Sequence, residues 1–79
     1  MNDIPWNKII LDEFRYLACL TEDEEKILQD WEAGYSVTKS ARIRSMSPRQ
    51  VDRNRNQIRR KYDAVQPFTP LLPKRITDD

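Results

Sequence analysis

The sequence predicts an all-α fold, a small four-helix domain followed by an extended Pro-rich C-terminal tail. Apolar residues recur at the three- and four-residue spacings of amphipathic helices. Ser or Thr stands before three of the predicted helices, where N-caps belong. The one Gly and the five Pro lie at the ends of the helical stretches or outside them. We place the helical domain at residues 1–66 and the tail at residues 67–79.

Size and composition narrow the class of protein. The chain has 79 residues, of which 38% are hydrophobic and 34% are charged, a balance typical of a small soluble domain. With one Cys and no His, we expect neither a disulfide framework nor a metal site, a cofactor or enzymatic activity. No apolar run approaches the roughly 20 residues of a membrane span. No signal-peptide pattern opens the chain, so we expect a cytoplasmic protein without membrane contacts.

The net charge of +1 conceals a division along the chain. Residues 1–33 hold three Lys or Arg and nine Asp or Glu, whereas residues 34–79 hold eleven and four. The two parts therefore carry −6 and +7. A basic part of this kind attracts nucleic acid, and an acidic part is repelled by it.

The first predicted helix covers residues 6–19, and its expected inward side is broad. The apolar positions that define or widen this side are Trp6, Ile9, Ile10, Leu11, Phe14, Tyr16 and Leu17. We interpret them mainly as core, with a dimer or partner surface as the alternative. Cys19 lies among apolar neighbours, and we expect a buried thiol.

Two short helices follow. Thr21 and Glu24 have the spacing of a capping box, and Gly34 stands where a left-handed C-terminal cap ends the helix. Ser36 is the expected N-cap of a helix over residues 37–44. The expected inward residues of the two helices are Ile27, Leu28, Trp31, Val37, Ala41 and Ile43.

The last predicted helix begins with a second capping box at Ser47, has Pro48 at its first position, and runs to about residue 66. Its expected inward residues are Val51, Ile58, Tyr62 and Val65, with Asn54 or Arg55 filling one turn. Six Lys or Arg are interleaved with Asn and Gln along it. This mixture suits a helix that contacts phosphates and base edges, although basic helices also occur as solvated faces. In the tail we expect Phe68, Leu71 and Leu72 to pack back on the domain or to bind a partner.

A helix that ends at a Gly, a short helix, a brief turn and a basic helix together indicate a helix-turn-helix. The domain would then consist of a tri-helical core, residues 20–66, plus the N-terminal helix. Residues 20–62 also resemble the LuxR-type helix-turn-helix and the related region 4 of sigma factors, without a gap. The matching residues are Leu20, Thr21, Ile27, Leu28, Gly34, Ser36, Ala41, Arg42, Ser47, Val51, Ile58, Arg60 and Lys61.

The chain departs from that family at several positions. Ser40, Arg44 and Ser45 stand where the family usually has two aliphatic residues and a Gly. Asp52 occupies a position that is often basic and faces DNA. The family's fourth, dimerising helix is replaced here by the Pro-rich tail.

The resemblance implies that residues just after Val51 face the major groove. For base edges it nominates Gln50, Arg53 and Asn56, with Arg suited to guanine and Gln or Asn to adenine. Candidate phosphate contacts are Lys39, Ser47, Arg49, Arg55 and Arg60. Asp52 has two interpretations: it accepts a hydrogen bond from a cytosine amino group, or it pairs with Arg49, Arg55 or Asn56 and orients them.

The leading hypothesis is sequence-specific binding of double-stranded DNA through a recognition helix over about residues 47–65, as a small, phage-like transcriptional regulator. Specificity normally needs two half-sites or a bound polymerase. We therefore expect a homodimer, formed through the 6–19 helix or the tail. The alternative is a protein-interaction module with a region-4-like fold that binds RNA polymerase or another regulator instead of DNA.

Overall fold

The computed structural model describes residues 4–75, in which every regular element is helical. The all-α prediction is confirmed for this part of the chain, and the helices begin and end close to the predicted positions. No helix of residues 4–75 is long and apolar enough to cross a bilayer. The elements are α1 (Lys8–Leu17), α2 (Glu22–Glu32), α3 (Val37–Arg44), α4 (Pro48–Val65) and a short 3-10 helix, η1 (Gln66–Phe68).

The chain forms two units. The first, which we call the central unit, comprises residues 20–58. The second, the terminal unit, comprises residues 4–19 together with residues 59–75. Helix α4 contributes its first part to the central unit and its last two turns to the terminal unit.

Helix α2 begins and ends as its sequence predicts. The Glu24 N–H donates to Thr21 Oγ1 at 3.1 Å, and Glu24 Oε1 accepts from the Thr21 N–H at 2.9 Å, so the capping box is complete. Gly34 has φ 87°. The Tyr35 N–H bonds the Asp30 carbonyl at 2.9 Å, and the Gly34 N–H bonds the Trp31 carbonyl at 3.0 Å. This is a Schellman motif, which satisfies the last carbonyls of the helix.

Like α2, helix α3 begins at a side-chain N-cap and ends at a left-handed residue, but here that residue is Ser instead of Gly. Ser36 Oγ accepts from the Lys39 N–H at 3.1 Å, which confirms the predicted N-cap. At the other end Ser45 adopts φ 56° and ψ 42°, and the Met46 N–H bonds the Ala41 carbonyl at 2.9 Å. Ser45 therefore takes a left-handed conformation that usually belongs to Gly.

The buried apolar residues of the central unit match most of the prediction: Ile27, Leu28, Ala41, Val51 and Ile58. Ile43 is 49% exposed, so its predicted inward position is wrong. Helix α3 instead buries Ser40 and Ala41 and directs Arg44, one turn later, toward α2. Because Ser40, Ala41 and Arg44 define the side of α3 that faces inward, Ile43 lies beside that side and is exposed.

A partly buried ion pair joins α2 to α3. Asp30 is only 3% exposed, and Arg44 donates to both of its carboxylate oxygens, from Nε at 3.0 Å and from Nη2 at 2.8 Å. These hydrogen bonds hold the pKa of Asp30 below its ordinary value, against the desolvation that raises it. The same contact raises the pKa of Arg44. The pair is therefore charged at neutral pH, and each partner needs the other.

The terminal unit is built around three aromatic rings. The ring centroid of Trp6 lies 5.5 Å from that of Phe14 and 5.9 Å from that of Tyr62, and the centroids of Phe14 and Tyr62 are 5.8 Å apart. These are favourable tilted and edge-to-face distances. The buried apolar residues of this unit are Ile4, Ile10, Leu11, Phe14, Tyr62 and Leu72.

Helix α1 is narrower on its buried side than its sequence predicts. Ile9 is 65% exposed and Tyr16 is 85% exposed, so the widened inward side is wrong at those positions, and Leu17 is also exposed. Asn7 caps the helix by accepting from the Ile10 N–H at 2.9 Å. The apolar pattern of α1 exceeds what a unit of this size covers.

Cys19 is exposed, contrary to the prediction of a buried thiol. Helix α1 ends at Leu17, and the extended backbone of the next residue takes the chain off the helical path. The inward periodicity therefore stops before Cys19. Its carbonyl accepts a hydrogen bond from Lys61 Nζ at 2.6 Å.

The tail folds back along the end of α4, within the terminal unit. Gln66 Nε2 donates to the Leu72 carbonyl at 3.1 Å, the Tyr62 hydroxyl donates to the Pro73 carbonyl, and Arg75 pairs with both oxygens of Asp63. Burial raises the pKa of Tyr62.

Of the three apolar tail residues, Leu72 is buried as predicted. Phe68 is 83% exposed and Leu71 is 51% exposed, so inward packing is wrong for both. The tail is also not extended throughout, because it opens with the 3-10 turn of η1. The predicted tail includes residues 76–79, which lie outside the described residues.

We expect Ser45→Gly to raise the free energy of unfolding by up to about 1 kcal/mol, because a Cβ at positive φ is strained and Gly is not. The opposite substitution, Gly34→Ala, should lower the free energy of unfolding by about 1 kcal/mol. A Cβ at Gly34 would meet nothing within 4 Å, so backbone conformation alone is tested there. Urea denaturation followed by circular dichroism measures both, and a loss of stability in Ser45→Gly would contradict the assigned cap.

Asp30→Asn should lower the free energy of unfolding by about 2–4 kcal/mol at neutral pH, because it leaves Arg44 without its counter-charge. Folding depresses the pKa of Asp30 from its ordinary 3.8. The stabilisation is therefore fully present above about pH 4 and is lost as the pH falls through the folded-state pKa.

Denaturation curves of wild type and Asp30→Asn at several pH values should differ most at neutral pH and converge in acid. The control is Lys26→Gln, which removes an exposed pair with Glu22 whose atoms are 3.6 Å apart. Its effect should stay below about 0.5 kcal/mol. An equal effect of the two variants would show that the buried pair has no special role.

Candidate nucleic-acid interface

The first turns of α4 start from a well-formed N-terminus in the central unit. Ser47 Oγ accepts from the Gln50 N–H at 3.1 Å, and Pro48 occupies the first helical position. Asn54 Nδ2 donates to the Gln50 carbonyl at 3.0 Å. Asn54 is thereby turned back on its own helix and is not one of the outward-reaching side chains.

The three predicted base-reading residues, Gln50, Arg53 and Asn56, are all exposed. They follow one another at three-residue steps, which places them on a single ridge of an α-helix. Val51 and Ile58, on the opposite side of the helix, are fully buried. Because burial fixes the rotation of α4 about its axis, the ridge is directed away from the core of the central unit.

Of the predicted phosphate contacts, Ser47, Arg49 and Lys39 are exposed in the central unit. Lys39 Nζ lies 4.1 Å from the centroid of the Tyr35 ring, a cation–π contact that leaves the ammonium at the surface. Arg60 is also exposed, but it belongs to the terminal unit. Four of the five predicted phosphate contacts thus lie in the unit that carries the ridge, and three of them are exposed.

Arg55 occupies a different environment from the other cations of α4. Its Nη2 donates to the Tyr35 carbonyl at 2.7 Å, and its guanidinium carbon lies 4.9 Å from the Trp31 ring centroid. After Arg44, its charge also contributes to the lowered pKa of Asp30. Arg55 therefore fastens α4 to the C-terminal end of α2, and its predicted contact with a phosphate would have to come in addition to these bonds.

Asp52 is exposed one position before Arg53. Within residues 4–75 it forms no ion pair with Arg49 or Arg55, although both lie at helical spacing from it. Arg55 is turned toward α2 instead. Pairing of Asp52 with Arg49 or Arg55 therefore has no counterpart among the described residues, and Asp52 is exposed on the outer side of α4.

Sequence reasoning missed the residues that support this surface. Asp30 reads as an acidic residue of a polar helix, and nothing in the local pattern indicates that it is buried. The available signal was Arg44, a charged residue at a position where the family usually has an aliphatic one. An arginine that packs between helices calls for a carboxylate on its neighbour, and Asp30 lies on the preceding helix.

Within residues 4–75 no group of three or more acidic or thiol side chains is placed to hold a metal ion. Comparisons with family models, with curated proteins and with solved structures find no match for this chain. The resemblance to the LuxR-type and region 4 domains therefore rests on the sequence positions given above.

Replacing Arg55 by Met keeps an unbranched stem and removes the guanidinium. We expect the free energy of unfolding to fall by about 1–3 kcal/mol, because a charged hydrogen bond and a cation–π contact are lost. The matched control is Arg49→Met on the exposed side of the same helix, which should change stability by less than about 0.5 kcal/mol. Chemical denaturation measures both. Equal stability of the two variants would contradict the role of Arg55 in holding α4 to the end of α2.

Proposed function

We propose that this protein binds double-stranded DNA sequence-specifically, with α4 as the recognition helix of a helix-turn-helix formed by α2, α3 and α4. The single observation that carries the proposal is the exposed ridge of Gln50, Arg53 and Asn56. Amide and guanidinium groups at helical spacing are what the major groove requires, because they form bidentate bonds with adenine and guanine.

The arrangement around the ridge supports the proposal. Arg49 and Lys39 add exposed positive charge without base preference, which suits contacts to phosphates on either side of a groove. The ion pair between α2 and α3 and the bonds of Arg55 to the end of α2 keep α4 in a defined orientation. Rigid support matters because base readout depends on the placement of a few side chains.

On this proposal α4 lies in the major groove with its N-terminal half against the bases. The ridge from Gln50 to Asn56 spans roughly 9 Å of helix axis at 1.5 Å per residue, or about three base pairs at 3.4 Å each. One such helix reads too short a sequence to be selective, so a DNA site with two half-sites and a protein dimer fit best.

A second candidate function is protein binding, and one observation favours it. Tyr16 and Ile9 lie two helical turns apart on α1 and are 85% and 65% exposed. Large exposed apolar side chains are typical of protein contacts. This candidate keeps the helical fold and predicts a complex with a polymerase or regulator in which α1, and not α4, is covered.

The test is binding to a duplex selected from a random library, measured by fluorescence anisotropy over a range of salt concentrations. We expect log K to fall linearly with log salt. Arg53→Ala and Asn56→Ala should each weaken binding to the selected duplex by about 1–3 kcal/mol and relax preference at one base position. Arg49→Ala should weaken binding to all duplexes alike and lower the salt slope by about 1.

Lys8→Ala is the matched control, because it removes one exposed positive charge from α1 instead of α4. It should leave both affinity and base preference unchanged. If the wild-type protein bound no duplex at low salt, the proposal would be wrong. A complex formed with protein but indifferent to DNA would favour the second candidate.

A further inference from the structure

Asp52 is the one carboxylate on the part of α4 that carries the ridge. It is exposed, it lies next to Arg53, and it stands one helical turn after Arg49 and one before Asn56. A surface that only needed to attract DNA would not place an acidic side chain there. The structure also leaves it unneutralised by the two nearby arginines at helical spacing within residues 4–75.

An exposed carboxylate at this position opposes DNA binding in general. Two unit charges at 4 Å repel by about 1 kcal/mol in water and more in a less polar groove. DNA carries a dense row of phosphates on both edges of the groove. Binding to an arbitrary sequence therefore meets repulsion that no contact offsets.

One base supplies the missing contact. The amino group at N4 of cytosine projects into the major groove as a hydrogen-bond donor, and Asp accepts from it. At thymine the same position is an O4 acceptor, which adds repulsion to the carboxylate. The sign of the interaction with Asp52 thus depends on the base that it meets.

We propose that Asp52 is a specificity determinant: it weakens binding to DNA in general but does not weaken binding to sites with a suitably placed cytosine. Because Asp52 and Arg53 are neighbours on the helix, this cytosine lies within about two base pairs of the guanine bound by Arg53. The inference rests on the proposed function. Its mechanism is discrimination by repulsion: specificity is a difference of affinities, and an interaction that is unfavourable to the wrong sequence contributes to it as much as an attractive one.

The experiment compares wild type, Asp52→Asn and Asp52→Ala on three duplexes: the selected sequence, the same sequence with the cytosine changed to thymine, and an unrelated sequence. For both variants we expect affinity for the unrelated duplex to rise about five-fold, the effect of removing one unit-charge repulsion in water. The preference for cytosine over thymine should fall roughly ten-fold.

The control is Glu32→Gln, which makes the same charge change at an exposed site on α2. It should raise affinity less than the Asp52 variants and leave the cytosine preference intact. Circular dichroism of each variant checks that α4 is preserved.

The outcomes separate the two proposals. Equal gains of the Asp52 variants on all three duplexes would overturn the inference and leave DNA binding in place, since charge alone would then explain the effect. Unchanged binding in those variants would place Asp52 outside the interface and also overturn it. Failure of wild type to bind any duplex would instead overturn the proposed function.

Discussion

The partly buried pair of Asp30 and Arg44 is the interaction on which the central unit most depends. Neither partner is tolerated alone, because an isolated charge that is removed from water costs several kcal/mol. Two hydrogen bonds of 2.8 and 3.0 Å, in the bidentate geometry that a guanidinium favours, meet that requirement. The pair also determines which side of α3 faces α2, and it leaves Ile43 on the flank.

The end of α2 is where both supporting contacts meet. Asp30 holds α3 through Arg44, while Tyr35, just past the Schellman cap, offers its carbonyl to Arg55 of α4. The cap itself depends on the left-handed Gly34. A short stretch of chain around one Gly thus supplies the acceptors that hold both α3 and α4.

This arrangement divides the cations of the central unit between two tasks. Arg44 and Arg55 are bound within the unit, where they hold helices together. Arg49 and Arg53 remain on the exposed side of α4. A count of charges along the sequence overstates the positive surface for this reason, and the exposed Asp52 reduces it further. Net charge therefore contributes less to the proposed recognition than the placement of a few side chains.

Local features of the fold could be predicted from the sequence because their causes are local. The capping box at Thr21, the N-cap at Ser36 and the turn at Gly34 each depend on residues within one helical turn. The buried stripe of α4 also follows from periodicity alone, since a long helix presents its pattern over several turns.

The remaining features depend on contacts between distant residues, which periodicity does not describe. Ile9 and Tyr16 continue the apolar pattern of α1, yet a small unit has too few neighbours to cover them. Phe68 is exposed because the tail is fastened by polar contacts of Gln66 and Tyr62, and these have no sequence signature. The sequence predicts that Asn54 or Arg55 fills the missing inward turn of α4, but the hydrogen bond that holds Arg55 there depends on the Tyr35 carbonyl, twenty residues earlier in the chain.

The most direct test of recognition through α4 is an NMR titration of the ¹⁵N-labelled protein with a selected duplex, in which the backbone amide chemical shifts are monitored. The largest changes should occur over residues 47–56, with smaller ones at the start of α3 near Lys39, and the amides of α1 should be unaffected. A non-selected duplex should give weaker changes at the same positions. Changes confined to α1, or none on α4 at saturating duplex, would contradict the account.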